Sequence, residues 1–354
     1  MSSNRQVSVG AVRMGGGAPV SVQSMLSMPA SDIEAGVRQA QALSHAGCEI
    51  IRAAVPDRAS VPLIAALKER CDRPIVADIH FDYRIALDCV AAGVDKIRIN
   101  PGNIGGQDKV KAVADACARA GIPIRIGVNS GSVEPRLLAR YGGPTPEALV
   151  ESALYHASLL EQADFGDIVL SMKSSDVATT YAAYCMAAER CDYPLHLGVT
   201  EAGTERMGLL KSAAGIGGLL LRGIGDTIRI SLTADPMLEV KAAIQLLEAC
   251  GLRKAGITVV SCPTCGRTRI DLIGLTEKVE EKLQSIALSH PIKVAVMGCP
   301  VNGPGEAKEA DVGIAGGDGC GLLFKKGKVI RKVPEQGLLD ALMDEIKAME
   351  NSAG

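Results

Sequence analysis

Four cysteines in the last third of the chain form a pattern of ligating residues: Cys262 and Cys265 in a Cys-Pro-Thr-Cys loop, Cys299 after Gly298, and Cys320 between two glycines. Thiolates at a C-x-x-C spacing hold zinc or an iron–sulfur cluster, and the spacing alone leaves both open beside a redox dithiol. A zinc ribbon ordinarily brings two such knuckles, and the second is missing here. The fourth ligand is then either Cys320 or an oxygen, with Glu306 closing the turn Pro300-Val301-Asn302-Gly303-Pro304-Gly305 after Cys299. A carboxylate is a hard ligand that matches soft iron–sulfur chemistry poorly and leaves one iron exchangeable, which suits a reaction centre rather than a staple. The other cysteines, Cys48, Cys71, Cys89, Cys117, Cys185, Cys191 and Cys250, fall singly in or beside helical patterns and read as small core residues.

A second set of reactive side chains falls repeatedly at the ends of short apolar, β-branched runs. It comprises Arg52, Asp78 with His80, Arg98 with Asn100, Arg125 with Asn129, Lys173 with Ser174, His196 with Glu201 nearby, and Arg229 with Ser231. Residues two or four apart on a strand share a face, so each same-parity pair points one way. One polar strand end is an ordinary solvated cap. Four arginines and a lysine at successive strand ends call for a multiply anionic ligand, because guanidinium forks match phosphate oxygens. The turns Pro101-Gly102-Asn103-Ile104-Gly105-Gly106 and Gly223-Ile224-Gly225-Asp226 add backbone N–H donors for a phosphate or diphosphate. Asp78, His80, His196 and Glu201 are the proton-transfer candidates, and an Asp/His pair two apart also suits a metal.

The runs that must position these groups are Val20–Met25, Glu49–Val55, Pro74–His80, Lys96–Asn100, Ile124–Asn129, Ile168–Lys173, Leu195–Thr200 and Thr227–Leu232. Amphipathic segments separate them. One, Ile33–His45, is opened by the capping pattern Ser31-Asp32-Ile33-Glu34 and stopped by Gly47; another begins at Thr145-Pro146. Eight strand–helix units ending with Pro236–Ala249 predict an α/β fold, a (β/α)8 TIM-like barrel whose chemistry gathers at the carboxyl ends of its strands. A doubly wound sheet is the rival, but it has fewer units and a Gly-rich first turn, whereas Met14-Gly15-Gly16-Gly17 precedes a strand. After Gly251 the texture changes to cysteine motifs, a helix (Glu277–Ala287), a strand (Ile292–Met297), a hairpin near Lys325–Lys328 and a last helix (Leu338–Met349). The division is therefore 1–253 for the barrel, which takes the diphosphate, and 254–354 for a smaller α/β domain carrying the thiols.

Composition agrees. The 354 residues are 47% apolar and 22% charged, a globular chain large enough to fold without disulfides or metal. Lys+Arg 38 against Asp+Glu 40 leaves a net charge of −2, and aromatics are 3% with no Trp. A nonspecific nucleic-acid binder would need a basic field or stacking platforms, so nucleic acid is not an expected partner. The N-terminus has no apolar stretch of signal-peptide type, and no segment reaches about 18 uninterrupted apolar residues, so a cytoplasmic protein without membrane contact is expected.

The motifs together resemble the 4-hydroxy-3-methylbut-2-enyl diphosphate synthase family of the non-mevalonate isoprenoid route. The likeness is carried by Cys262-Pro263-Thr264-Cys265, Gly298-Cys299, Asn302-Gly303-Pro304-Gly305-Glu306, Ala77-Asp78-Ile79-His80-Phe81-Asp82-Tyr83-Arg84 and Arg98-Ile99-Asn100-Pro101-Gly102-Asn103-Ile104-Gly105. Pro123-Ile124-Arg125-Ile126-Gly127-Val128-Asn129, Lys173-Ser174-Ser175-Asp176-Val177 and His196-Leu197-Gly198-Val199-Thr200-Glu201-Ala202-Gly203 extend it in order over nearly the whole chain. Pro300 after the third cysteine, Arg222 before Gly223 and the extra Cys320 depart from the pattern. The resemblance implies the two-domain bacterial form, a [4Fe-4S] cluster held by Cys262, Cys265, Cys299 and Glu306, and the substrate 2-C-methyl-D-erythritol 2,4-cyclodiphosphate. It implies that Arg52, Arg98, Asn100, Arg125, Asn129 and Lys173 bind this cyclic diphosphate. Glu201 would be the acid/base, supported by Asp78, His80 and His196. Flavodoxin or ferredoxin would supply electrons to a head-to-tail homodimer in which one subunit's cluster domain covers the other's barrel. Two other readings are a diphosphate-ester barrel enzyme such as the dihydropteroate synthases, and a non-catalytic phosphate-binding barrel with a structural zinc ribbon.

Overall fold

The structure is a computed structural model that describes residues 3–353 apart from 255, 285, 287–289, 301–304 and 306. The chain divides into two compact units, Met1–Arg253 and Lys254–Gly354.

In the first unit, β1 (Gln6–Val9) and β2 (Val12–Gly15) form an antiparallel hairpin. Eight parallel strands follow: β3 (Ser21–Met25), β4 (Ile50–Ala54), β5 (Ile75–Asp78), β6 (Lys96–Ile99), β7 (Ile124–Asn129), β8 (Ile168–Lys173), β9 (His196–Leu197) and β10 (Thr227–Ile228). They pair in the order β8-β7-β6-β5-β4-β3-β10-β9, and a bridge between Leu170 and Leu195 closes the ring. Alternation along the strands sorts the side chains. Outward residues such as Ile51, Ala77, Ile97, Ile126 and Leu170 are buried against the surrounding helices in one large core. The helices start where their sequences cap them: Asp32, rather than Ser31, accepts from Ala35 N, and Thr145 accepts from Ala148 N ahead of Pro146.

The sequence did not announce the N-terminal hairpin. It packs Val7, Val9 and Met14 against the inward-facing Ile50, Val76 and Val169, an apolar plug at one end of the barrel. The last two barrel strands are shorter than the runs Leu195–Thr200 and Thr227–Leu232 suggest. Regular pairing stops at Leu197 and Ile228, although Arg229 N still donates to Leu197 O at 3.0 Å. Just beyond, at Gly198, a Cβ would lie 2.5 Å from Lys173 Nζ, so the glycine leaves room for that side chain.

The second unit is a five-stranded sheet in the order β11 (Ile257–Ser261), β12 (Ile292–Met297), β13 (Val312–Gly316), β14 (Cys320–Lys325) and β15 (Lys328–Pro334). The first three are parallel, the rest antiparallel. Helices Leu272–Gln284 and Leu338–Ala353 share its core through Val279, Leu283, Leu342 and Ile346. The first helix begins five residues before the expected Glu277, because the Asp271 carboxylate accepts from Gly274 N at 3.0 Å and caps it there. Strand β13, Val-Gly-Ile-Ala-Gly, was not expected from its sequence. Its Gly313 is pressed so closely on Ala295 and Phe324 that a Cβ would lie within 2.8 Å of both.

Candidate active site

Inward parity brings the predicted cations to one place. Arg52, Arg98, Arg125, Asn129, Lys173, Arg229 and Ser231 line a cavity of about 120 Å3 at the carboxyl ends of the strands, joined by Ser171 and Thr200. The sequence reading missed these last two as site residues, although Ser171 precedes Lys173 by two on the same face. Asn100 is 3% exposed at the end of β6 and is not among the residues lining the cavity; its carbonyl accepts from Asn103 N at 2.9 Å.

Asp78 organises the floor. Its two oxygens take Arg52 Nη2 at 2.5 Å and Arg98 Nη1 at 3.1 Å, while His80 Nε2 stands 3.6 Å away at the solvent side. Arg98 also donates to Gly127 O at 3.2 Å, and it lies where a Cβ on Gly127 would be, 2.6 Å from its Nε. Arg229 is 3.6 Å from Glu239, a buried carboxylate that also accepts from Ser24 Oγ and Leu232 N. Arg125 and Lys173 face no carboxylate at ion-pair distance among the described residues, and both are buried. Burial, with the neighbouring cations, pushes both well below their ordinary pKa values. The cluster is electrostatically under-compensated, the state expected of a site that waits for an anion.

Burial alone would raise the Asp78 carboxyl, but the charges of Arg52 and Arg98 outweigh it and hold the group well below the usual carboxylate range. Asp78 therefore stays ionised and serves as an organiser of arginines. Asp78→Asn should cost about 3–5 kcal/mol of unfolding free energy, since it strands two buried guanidinium groups. Because the folded value is depressed, the contribution is fully present above the unfolded value near pH 4 and is lost as pH falls. The gap between wild type and variant should be flat from about pH 5 to 8 and narrow below about pH 4, measured by denaturant titration.

The proton-transfer candidates separate. His80 touches Asp78, but His196 is fully buried deeper in the barrel, with neither ring nitrogen hydrogen-bonded and with Lys173, Arg125, Lys96 and Arg52 as its charged neighbours. Burial first, then these cations, keeps its imidazole neutral. Glu201 is exposed in the turn that follows Thr200 and holds a left-handed backbone, φ 51°. A non-glycine residue there costs about 1–2 kcal/mol, and such strain gathers at functional positions.

In the second unit the thiols Cys262 and Cys299 lie at the carboxyl ends of the adjacent strands β11 and β12. Gly298 N donates to Cys262 Sγ at 3.2 Å, and Arg269 N to Gly298 O at 3.0 Å. Thr268 closes the C-x-x-C loop, accepting from Cys265 N at 3.2 Å and packing where a Cβ on Gly298 would sit, 3.0 Å away. Hydrogen bonds from the Arg267 backbone and side chain lower the Cys265 thiol, which favours the ligating thiolate. Three soft donors on two stitched loops, one already accepting an amide N–H, are a donor set suited to iron–sulfur chemistry. Among the described residues no three ligating side chains converge as they stand. Glu306, the expected fourth ligand, lies outside the described residues.

Comparison with known proteins agrees with both halves. The GcpE TIM-barrel domain model matches residues 4–244 and the GcpE protein C-terminal domain model residues 258–348. Three curated relatives bear the name 4-hydroxy-3-methylbut-2-en-1-yl diphosphate synthase (flavodoxin). The Ruminiclostridium cellulolyticum protein is 53% identical over 98% of both chains, and that of Clostridium perfringens 55% over 98% of both. The Bacillus subtilis protein is 54% identical over 98% of this chain and 91% of its own. With both domain models matched in order and more than half of the residues shared over the full length, the chain belongs to the GcpE family, that of the 4-hydroxy-3-methylbut-2-en-1-yl diphosphate synthases.

Proposed function

We infer that this protein is an oxidoreductase that forms 4-hydroxy-3-methylbut-2-enyl diphosphate from 2-C-methyl-D-erythritol 2,4-cyclodiphosphate. Two electrons and two protons enter, the cyclic C–O–P linkage opens, and one hydroxyl leaves as water. The observation that carries this reading is the under-compensated cation cluster of Arg52, Arg98, Arg125, Lys173 and Arg229 in a barrel mouth, in a chain that also carries the thiols. A diphosphate-ester barrel enzyme or a zinc-ribbon module is not favoured, because the relatives match through both units.

Arg52, Arg98, Arg125 and Lys173 grip the diphosphate, and Asn129 places its oxygens. A [4Fe-4S] cluster, held by Cys262, Cys265, Cys299 and Glu306, supplies electrons one at a time when bound. Asp78 keeps Arg52 and Arg98 aimed into the cavity, and excludes its own carboxyl from proton donation by staying ionised. Glu201 delivers the proton to the departing hydroxyl, with His80 as a supporting group beside Asp78 at the rim. Flavodoxin is the proposed electron donor, as in the relatives' name, with ferredoxin as the alternative. No helix among the described residues is long and apolar enough to cross a membrane, and we place the enzyme in the cytoplasm.

The direct test is anaerobic purification, iron and sulfide analysis, and turnover of the cyclic diphosphate with reduced flavodoxin. A colourless protein with stoichiometric zinc would overturn the reading. Glu201 adds a sharper one. Glu201→Gly relieves the left-handed strain while removing the carboxylate, so stability should rise by about 1 kcal/mol as turnover falls. Retained turnover would remove Glu201 from the chemistry.

Assembly gives a further expectation. If the protein is a homodimer in which each cluster serves the other subunit's barrel, an Arg125→Ala chain and a Cys299→Ala chain are each inactive but complement when mixed. Each heterodimer then has one intact composite site and about half the activity of a wild-type dimer. Proven heterodimers without activity would place the whole site in one chain.

A further inference from the structure

Lys96 opens strand β6 with its side chain inside the barrel, two residues before Arg98 on the same face. It is fully buried, its one polar contact among the described residues is Met14 Sδ at 3.8 Å, and it lies outside the lining of the diphosphate cavity. The charged and titratable groups that face it are Arg125 on β7, Arg52 on β4 and His196 on β9. The nearest acid on the neighbouring strand, Asp78, is level with Arg98 and is taken by Arg52 and Arg98. On the inward faces of β3, β9 and β10, Ser21 Oγ, both amide atoms of Gln23, both nitrogens of His196 and Thr227 Oγ1 are buried with no hydrogen-bond partner among the described residues. The register places Thr227 beside both His196 and Ser21. The barrel thus has a polar storey beneath its cationic floor and above its apolar plug. Among the described residues Lys96 has no counter-ion.

We propose that Lys96 is an uncharged amine in the empty barrel and takes up a proton from solvent when the diphosphate ester binds above it. This rests on the functional reading given above. Burial, then Arg125 and Arg52, push the Lys96 ammonium well below its ordinary pKa, and Lys173 is pushed the same way by burial and four arginines. Two negative charges arriving at Arg125 and Arg52 offset the cations that disfavour an ammonium there, and the same amine then gains by being charged. The imidazole of His196, which faces Lys96 with neither ring nitrogen paired among the described residues, can accept from the new N–H donors. Each phosphorus of the cyclic diphosphate carries one strongly acidic hydroxyl, ionised throughout the neutral range, so the ligand itself brings and takes no proton. Uptake is a property of the protein. The complex holds more protons than the free enzyme, so affinity falls as pH rises.

The test is calorimetric titration of the oxidised holoenzyme, without reductant, by 2-C-methyl-D-erythritol 2,4-cyclodiphosphate in two buffers of different ionisation enthalpy at about pH 8. Wild type should take up between about one and two protons per site, from Lys96 and Lys173, and its dissociation constant should rise with pH by the matching slope. Lys96→Met, an unbranched apolar side chain of similar length, should bind the ester with about one proton fewer taken up; Lys96→Gln should lose the same proton if the Met variant folds poorly. A structural role for Lys96 would change affinity or stability without changing the proton count. Zero uptake by wild type, or the same uptake in both variants, overturns the proposal while leaving the functional reading intact. Failure of wild type to bind the ester at all overturns the functional reading and this proposal with it.

Discussion

With Arg125 replaced by methionine, the barrel should bind the cyclic diphosphate about 30- to 1,000-fold more weakly, the loss of about 2–4 kcal/mol expected when one side of a buried charge pair is removed. The empty protein should unfold no more readily than wild type. The two signs oppose because Arg125 is an asset only when an anion is present. Its guanidinium is 1% exposed with Nε unpaired among the described residues, and Arg52 and Arg98 are its cationic neighbours; the carboxylate that offsets them, Asp78, is already shared by those two. Removing a stranded buried charge is neutral to stabilising when an apolar side chain of similar volume fills the space. Lys173→Met should likewise weaken binding without weakening the empty fold, since Lys173 is a buried amine on Gly198 with no carboxylate partner among the described residues. Asp78→Asn should do the reverse and weaken the empty fold. Denaturant midpoints with and without ligand separate the classes. If Arg125→Met destabilises the empty protein by several kcal/mol and leaves affinity unchanged, Arg125 is structural and the cation cluster has been misassigned.

The part of this arrangement legible in the sequence was the part with a period. Outward Ile, Val and Ala alternate with inward Arg, Asp and Lys on successive runs, so parity alone puts Arg52, Arg98, Arg125 and Lys173 on the lumen face. Lys96 obeys the same parity as Arg98 but opens its strand, where a lysine ordinarily reads as a solvated end. Only closure of the ring and the Met14 plug reveal that it is sealed inside. His196 misled in the opposite way. Its neighbour in sequence, Glu201, is at the rim, but the ring itself lies below the cations with no link to Asp78. The short strands Gln6–Val9 and Val312–Gly316 gave too few alternations to register, and the early start of helix Leu272–Gln284 depended on a single cap, Asp271. Long-range closure and single capping contacts carry no periodic signature.

Cys299→Ala should abolish turnover and strip iron from the protein, whereas the choice of fourth cluster ligand separates three subtler variants. Cys320 opens β14, and its carbonyl lies 2.8 Å from where a Cβ on Gly317 would be, with Pro300 Cγ 3.8 Å from the same point. The Cys320 turn therefore sits beside the residue that follows Cys299, so proximity does not remove this thiol from the choice. Ligand chemistry gives the two choices different expected outcomes. A thiolate in all four positions makes a closed, electron-transfer type of centre, whereas one carboxylate leaves a position that exchanges readily. Glu306→Ala should lower turnover at least about 100-fold, since even outer partners of a metal ligand cost 10–100-fold when removed. Its iron count should drop from four towards three per chain. Glu306→Cys should keep or raise iron retention and still turn over slowly, because a firmer ligand closes the exchangeable position. Cys320→Ala should retain iron, the paramagnetic signature of the reduced cluster and near-normal turnover, at a stability cost of about 1 kcal/mol for a half-buried thiol. Iron analysis, electron paramagnetic resonance and turnover with a chemical reductant read all three. Loss of the cluster in Cys320→Ala beside full activity in Glu306→Ala would put a thiolate, not a carboxylate, in the fourth place, and the exchange-based role of Glu306 would fall.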